Sequence, residues 1–88
     1  MNYSDIEKAL KEVFPDATIR SIGGIAKTMI TRKGQNRKLL VEAFSSGTGV
    51  LRVSANIFNQ NTVIGGVSNF MIHDDETLKK FVQQLKDF

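Results

Sequence analysis

Leu51, Val53, Ala55 and Ile57 alternate with Arg52, Ser54 and Asn56 across the run Val50–Phe58. A period of two is the signature of a strand with one buried and one wet face. That one stretch commits the chain to a sheet whose two sides are unlike. What lies on either side of it must then supply the remaining strands and something to cover the apolar side.

The preceding segment supplies two strands. Two β-prone runs, 25–32 and 37–44, flank the polar turn Gly34-Gln35-Asn36, and a β-hairpin with a cationic tip is predicted. A three-residue loop, 34–36, pairs Lys33 with Arg37, Arg32 with Lys38, Ile30 with Leu40 and Thr28 with Glu42. Leu39, Val41 and Ala43, with Met29, are assigned to the core side. Ile30, Arg32, Lys38, Leu40, Glu42 and Phe44 are assigned to the open side, and a slip of one residue reverses such an assignment.

Ala17 to Ile22 reads as a further short strand. Gly23-Gly24 then serves either as a tight turn or as a bulge within one bent strand, so four or five strands are expected. Val63 to Ile72 is the last, with a bulge or bend expected at Gly65-Gly66. Short turns between successive strands favour a meander.

The covering layer comes from the two ends. Ser4 and Glu7 have capping-box spacing, and Ile6, Leu10, Val13 and Phe14, with Ala9, recur at helical intervals until Pro15 stops the helix. Asp74 or Asp75 opens a second helix with the stripe Leu78, Phe81, Val82, Leu85 and Phe88. About five apolar side chains per helix, at ~1.5–3 kcal/mol each, are comparable to a whole net stability of ~5–15 kcal/mol. Both helices therefore belong on the sheet, most simply on one face. The expected class is α+β: N-terminal helix, antiparallel meander, C-terminal helix, one domain over residues 1–88.

Charge is distributed unevenly. Residues 17–72 hold seven basic side chains and one acid, a net of +6, whereas the two flanks hold five and eight, a net of −3. Such an asymmetry speaks about partners. With the helices on one face, the other presents basic residues and aromatic rings. Arg32, Lys33, Arg37, Lys38, Leu40, Phe44, Arg52 and Phe58 are the candidate contact residues.

Two uses fit that face. One is protein contact, as an adaptor, inhibitor or dimerising domain: Ile30, Leu40 and Phe44 form an apolar patch, and the basic tip steers an acidic partner or a second copy of the chain. The other is single-stranded nucleic acid, with Phe44 and Phe58 under the bases and Arg32, Lys33, Arg37, Lys38 and Arg52 on the phosphates. From about Leu39 onward, the order strand, turn, strand, glycine-containing strand, helix resembles the C-terminal part of the family of single-stranded-DNA-binding coactivators known as positive cofactor four. Gly66-Val67-Ser68, leading through Met71-Ile72 to the helix at Asp74–Leu85, carries the resemblance, and residues 1–38 lie outside it. The resemblance implies a dimeric nucleic-acid-binding fold of four strands and a helix.

Catalysis is not expected. The chain has no cysteine, which removes disulfides, thiolate metal sites and cysteine nucleophiles. His73, the one histidine, precedes Asp74-Asp75-Glu76, where helix capping accounts for the acids without a metal. Gly23-Gly24 and Gly65-Gly66 lack the spacing of phosphate-cradling loops. Ser45-Ser46 has no activating base near it in sequence. No cofactor is implied. An acidic amino terminus and the lack of a ~20-residue apolar run predict a cytoplasmic chain without a membrane segment.

Overall fold

A computed structural model describes residues 2–21, 27–31, 36–45 and 49–86. Helix α1 (Tyr3–Val13) is followed by β1 (Thr18–Ser21), β2 (Lys27–Thr31), β3 (Arg37–Ser45), β4 (Leu51–Asn59), β5 (Thr62–Ile72) and helix α2 (Asp75–Gln84). The strands form one antiparallel meander in the order β1-β2-β3-β4-β5. β1 and β2 are separate paired strands, so the five-strand alternative holds; the Gly23-Gly24 segment between them lies outside the described residues.

The start of α1 is not the expected one. Asn2 is the N-cap, and its Oδ1 accepts from the Asp5 backbone N–H at 3.3 Å while Asp5 Oδ2 accepts from the Asn2 N–H at 2.9 Å. Ser4, assigned to the cap from its spacing to Glu7, sits inside the first turn and donates to Asn2 Oδ1 at 2.6 Å. Asparagine caps as well as serine does, and an aspartate three residues on reciprocates as a glutamate would. Starting earlier places Tyr3 in the first turn, facing the sheet. The helix stops before Pro15, with Phe14 as C-cap.

α2 opens on Asp74. Its carboxylate accepts from the Thr77 N–H at 2.8 Å, and Thr77 Oγ1 accepts from the Asp74 N–H at 3.2 Å. The Thr77 backbone N–H, and then the Thr77 hydroxyl donating to Oδ1 at 2.9 Å, hold the Asp74 carboxyl below its ordinary value. Asp75 and Glu76 follow in the first turn, where negative charge complements the helix dipole.

Both helices lie on one face of the sheet and close a single core. Ile6, Leu10 and Phe14 from α1 and Leu78, Phe81, Val82 and Leu85 from the α2 region are buried with Leu39, Val41, Ala43, Leu51, Val53 and Ala55. Phe70 of β5 meets Phe81 of α2 with ring centroids 5.6 Å apart, a tilted pair. Phe88, expected to end the α2 stripe, lies outside the described residues.

The hairpin register differs by one residue from the expected one. Thr31 pairs with Lys38, Ile30 with Leu39, Met29 with Leu40, Thr28 with Val41 and Lys27 with Glu42. Ile30 is therefore buried on the core side, fully excluded from solvent, and Met29 is on the open side. The reason is tertiary. Ile30 brings a rigid β-branched side chain to the core, whereas Met29 is only partly buried where it lies. The shift also buries Thr28, and its hydroxyl is satisfied by the hydroxyl of Tyr3 reaching down from α1. No alternation rule contains that cross-layer bond.

Tyr3 is the chain's one tyrosine, and burial pushes its phenol above the ordinary value of 10. The Thr28 bond pulls partly back and the Glu7 carboxylate adds to the rise. A folded-state value raised in this way favours folding fully below pH 10, and the contribution is lost as pH climbs through the raised value. Ultraviolet titration of the phenolate should therefore give a midpoint above 10 that returns to 10 on unfolding. Tyr3→Phe leaves the Thr28 hydroxyl buried without its partner, at about 1–3 kcal/mol. Denaturant melts should show that loss with no change in m-value.

β5 departs from β4 at two places. Ile57 pairs with Gly65 and Phe58 with Val63, leaving Ile64 as an extra residue; Val53 pairs with Phe70 and Ala55 with Val67, so Ser68 and Asn69 both oppose Ser54. Asn69 takes positive φ at 54° and donates its N–H to Ser54 Oγ at 3.1 Å. The bulges thus flank Gly65-Gly66, which stay in the ladder, rather than falling on them. A bulge needs one residue tolerant of its local backbone, and asparagine tolerates the left-handed region nearly as glycine does.

Candidate functional site

No described element covers the face away from the helices, and pairing sets its rows. Thr18, Thr31, Lys38, Phe58 and Val63 form the row nearest the hairpin tip. Arg20, Met29, Leu40, Asn56 and Gly66 form the next. Lys27, Glu42 and Ser54 follow, and Phe44, Arg52 and Met71 close the far end. Six residues of β4 separate the end rows, about 20 Å at ~3.3 Å per residue. Five strands at ~4.8 Å spacing span about 19 Å.

The two ends carry the strongest features. At the far end Phe44 and Met71 stand 48% and 51% exposed, large apolar groups kept in water by the strand alternation that buries Ala43 and Ile72. The Arg52 guanidinium carbon lies 5.3 Å from the centre of the Phe44 ring, a cation–π contact. At the tip end Lys38 is exposed and Phe58, its cross-strand partner, is half-buried. Between them Lys27 and Glu42, opposite one another, form an ion pair of 3.7 Å. Both groups are about one-third exposed, so the pair steers register more than it stabilises. It also neutralises the one acid on the face, leaving Arg20, Lys38 and Arg52 as its net charge.

Of the expected contact residues, Lys38, Leu40, Phe44, Arg52 and Phe58 share this face. Arg37 is exposed at the tip but alternates to the side of Leu39. Arg32 and Lys33 lie outside the described residues. Ile30 leaves the patch for the core. Sequence reasoning missed Arg20, Met29 and Met71. Arg20 and Met71 were legible in principle, as alternation partners of Ile19 and Ile72; Met29 was lost with the register.

A second concavity lies between the helices, with Ala9, Val13, Leu78 and Val82 as its floor and a volume of ≈ 290 Å³. Small-molecule pockets begin at ~300 Å³, and its rim mixes Asp5, Glu12 and Asp75 with Lys8 and Lys79, so no single charge is favoured there. Among the described residues no three His, Cys, Asp or Glu side chains gather as a metal site. No helix among them is long and apolar enough to cross a membrane.

Fold and face together define an α+β protein with one side of an antiparallel sheet covered by two helices and the other left uncovered by any of the described elements. No protein-family model, curated protein or solved structure matches the chain.

Proposed function

We propose that the chain is a non-catalytic binding module, acting in the cytoplasm, whose open sheet face and hairpin tip engage an acidic protein surface. The observation that carries the reading is the far end of the face: exposed Phe44 and Met71 beside the exposed Arg52, whose guanidinium lies over the Phe44 ring. Arginine and aromatic or methionine side chains are the residues enriched where protein interfaces form. The ~20 Å by ~19 Å face amounts to about 400 Å² in projection, half of the ~800 Å² per partner of a standard interface.

The half-burial of Phe58 favours protein contact over single-stranded nucleic acid, because a base stacks on an open ring face and only Phe44 offers an exposed ring here.

Affinity capture with the immobilised chain, compared with Phe44→Ser and with Arg52→Glu plus Lys38→Glu, tests the proposal. The expected result is an acidic protein whose retention falls at least ~10-fold with either change, since like-charge juxtaposition at an interface costs several kcal/mol. A partner held equally by both variants overturns it. Tight binding of a fluorescein-labelled oligothymidylate with a steep salt slope replaces it with the nucleic-acid reading.

A further inference from the structure

The sheet ends in two unlike edges. β1 offers four residues with Arg20 among them, short and charged in the manner that guards an edge. β5 offers eleven residues, Thr62 to Ile72, with no charged side chain and no proline. Its outer row of backbone donors and acceptors has no strand partner among the described residues. Val63 and Ile64 stand 54% and 49% exposed along it.

The two glycines of β5 have different explanations. A side chain at Gly66 is barred from within: an added Cβ would lie 2.1 Å from the Ala55 carbonyl oxygen. At Gly65 nothing among the described residues demands glycine. Its Cβ would meet only Ile57 Cδ1, at 4.0 Å, an ordinary contact, and its φ is not in the positive region. Strand glycines accompany bulges as well as close backbone approaches, and Gly65 sits beside the extra residue Ile64, so the case for pairing rests on the edge itself. The bulges at Ile64 and at Ser68-Asn69 bend the edge, yet Gly65, Gly66 and Val67 between them stay regular against Ile57, Asn56 and Ala55.

We propose that β5 pairs antiparallel with β5 of a second copy, on a two-fold axis near Gly65-Gly66, joining two five-stranded sheets into one of ten strands. Charge selects this occupant and this edge. A second copy on the open face sets Arg20, Lys38 and Arg52 against their own kind, whereas two β5 edges meet with no charged side chain on either. Pairing of β5 with β1 offers four residues only and generates open-ended chains rather than a closed dimer. The two-fold arrangement gives outward backbone groups partners and brings Val63 and Ile64 of each copy toward the Val67 end of the other. It leaves the open face of each copy free, so it stands independently of the proposed function.

Sedimentation equilibrium of the full chain, from micromolar to near-millimolar, should give twice the 9.8 kDa monomer mass. Ile64→Lys and Gly65→Lys, each placed where the monomer has room, should raise the dimer dissociation constant at least ~10-fold by setting like charges across the axis, with circular dichroism unchanged. Amide hydrogen exchange of wild type, which needs no variant, should show protection of residues 62–72 rising with protein concentration. A monomer at all concentrations overturns the proposal. So does a dimer indifferent to both lysines, one broken by Phe44→Ser, or edge exchange independent of concentration.

Discussion

Gly66→Ala should cost about 2–6 kcal/mol and detach β5 from β4. The added methyl would sit 2.1 Å from the Ala55 carbonyl oxygen and 3.2 Å from both the Ala55 carbonyl carbon and Asn56 Cα. All three are backbone atoms of the neighbouring strand, so no rotamer change relieves the clash. Gly66 also takes φ 154°, a conformation essentially reserved for glycine and worth ~1–3 kcal/mol of strain to any other residue. Displacing Ala55 to make room adds an overpacking cost of a further ~1–3 kcal/mol. At 0.05–0.15 kcal/mol per residue, 88 residues hold about 4–13 kcal/mol in all. The variant should therefore be largely unfolded at moderate temperature, or keep α1 and β1–β4 with amides of 62–72 open to exchange. Gly65→Ala is the control: with only Ile57 Cδ1 at 4.0 Å, its stability should change by less than about 1 kcal/mol. Equal effects at the two neighbours, read by urea denaturation, would disprove the close approach.

The second large effect belongs to the cover. Phe81 is fully buried, central to α2, and holds Phe70 of β5 at 5.6 Å. Phe81→Ala removes a ring from a closed core and should cost about 3–5 kcal/mol. A Phe70→Ala/Phe81→Ala double-mutant cycle should return a coupling of about 0.5–1.5 kcal/mol for the ring pair itself. Because α2 covers the buried side of β5, its loss uncovers the second face of an already exposed edge strand. Dye binding to apolar surface should rise together with the loss of stability. A Phe81→Ala protein as stable as wild type would mean that α2 does not close this core.

Much of this was legible along the chain. Alternation at 51–57 separated Val53 and Ala55 from Arg52 and Asn56, and the structure buries the first set and leaves the second toward solvent. Helical spacing found Ile6, Leu10, Leu78, Phe81, Val82 and Leu85, since each helix has one place to put its stripe. Of the face, Lys38, Leu40, Phe44, Arg52 and Phe58 followed from β3 and β4, whose long regular runs leave no register choice. β2 was different. Met29 and Ile30 are both apolar and adjacent, so either parity satisfies a pattern rule, and turn length alone had to decide.

The amino-acid order by itself determined the element types, their succession and the presence of two dissimilar sheet sides, because these rest on periodicity and on near-neighbour chemistry. Only the assembled layers decided the hairpin register, the bulge positions and the Phe44–Arg52 contact. Each of those depends on atoms distant in sequence: the Tyr3 hydroxyl over Thr28, the Ala55 carbonyl against Gly66, and a guanidinium from β4 over a ring from β3.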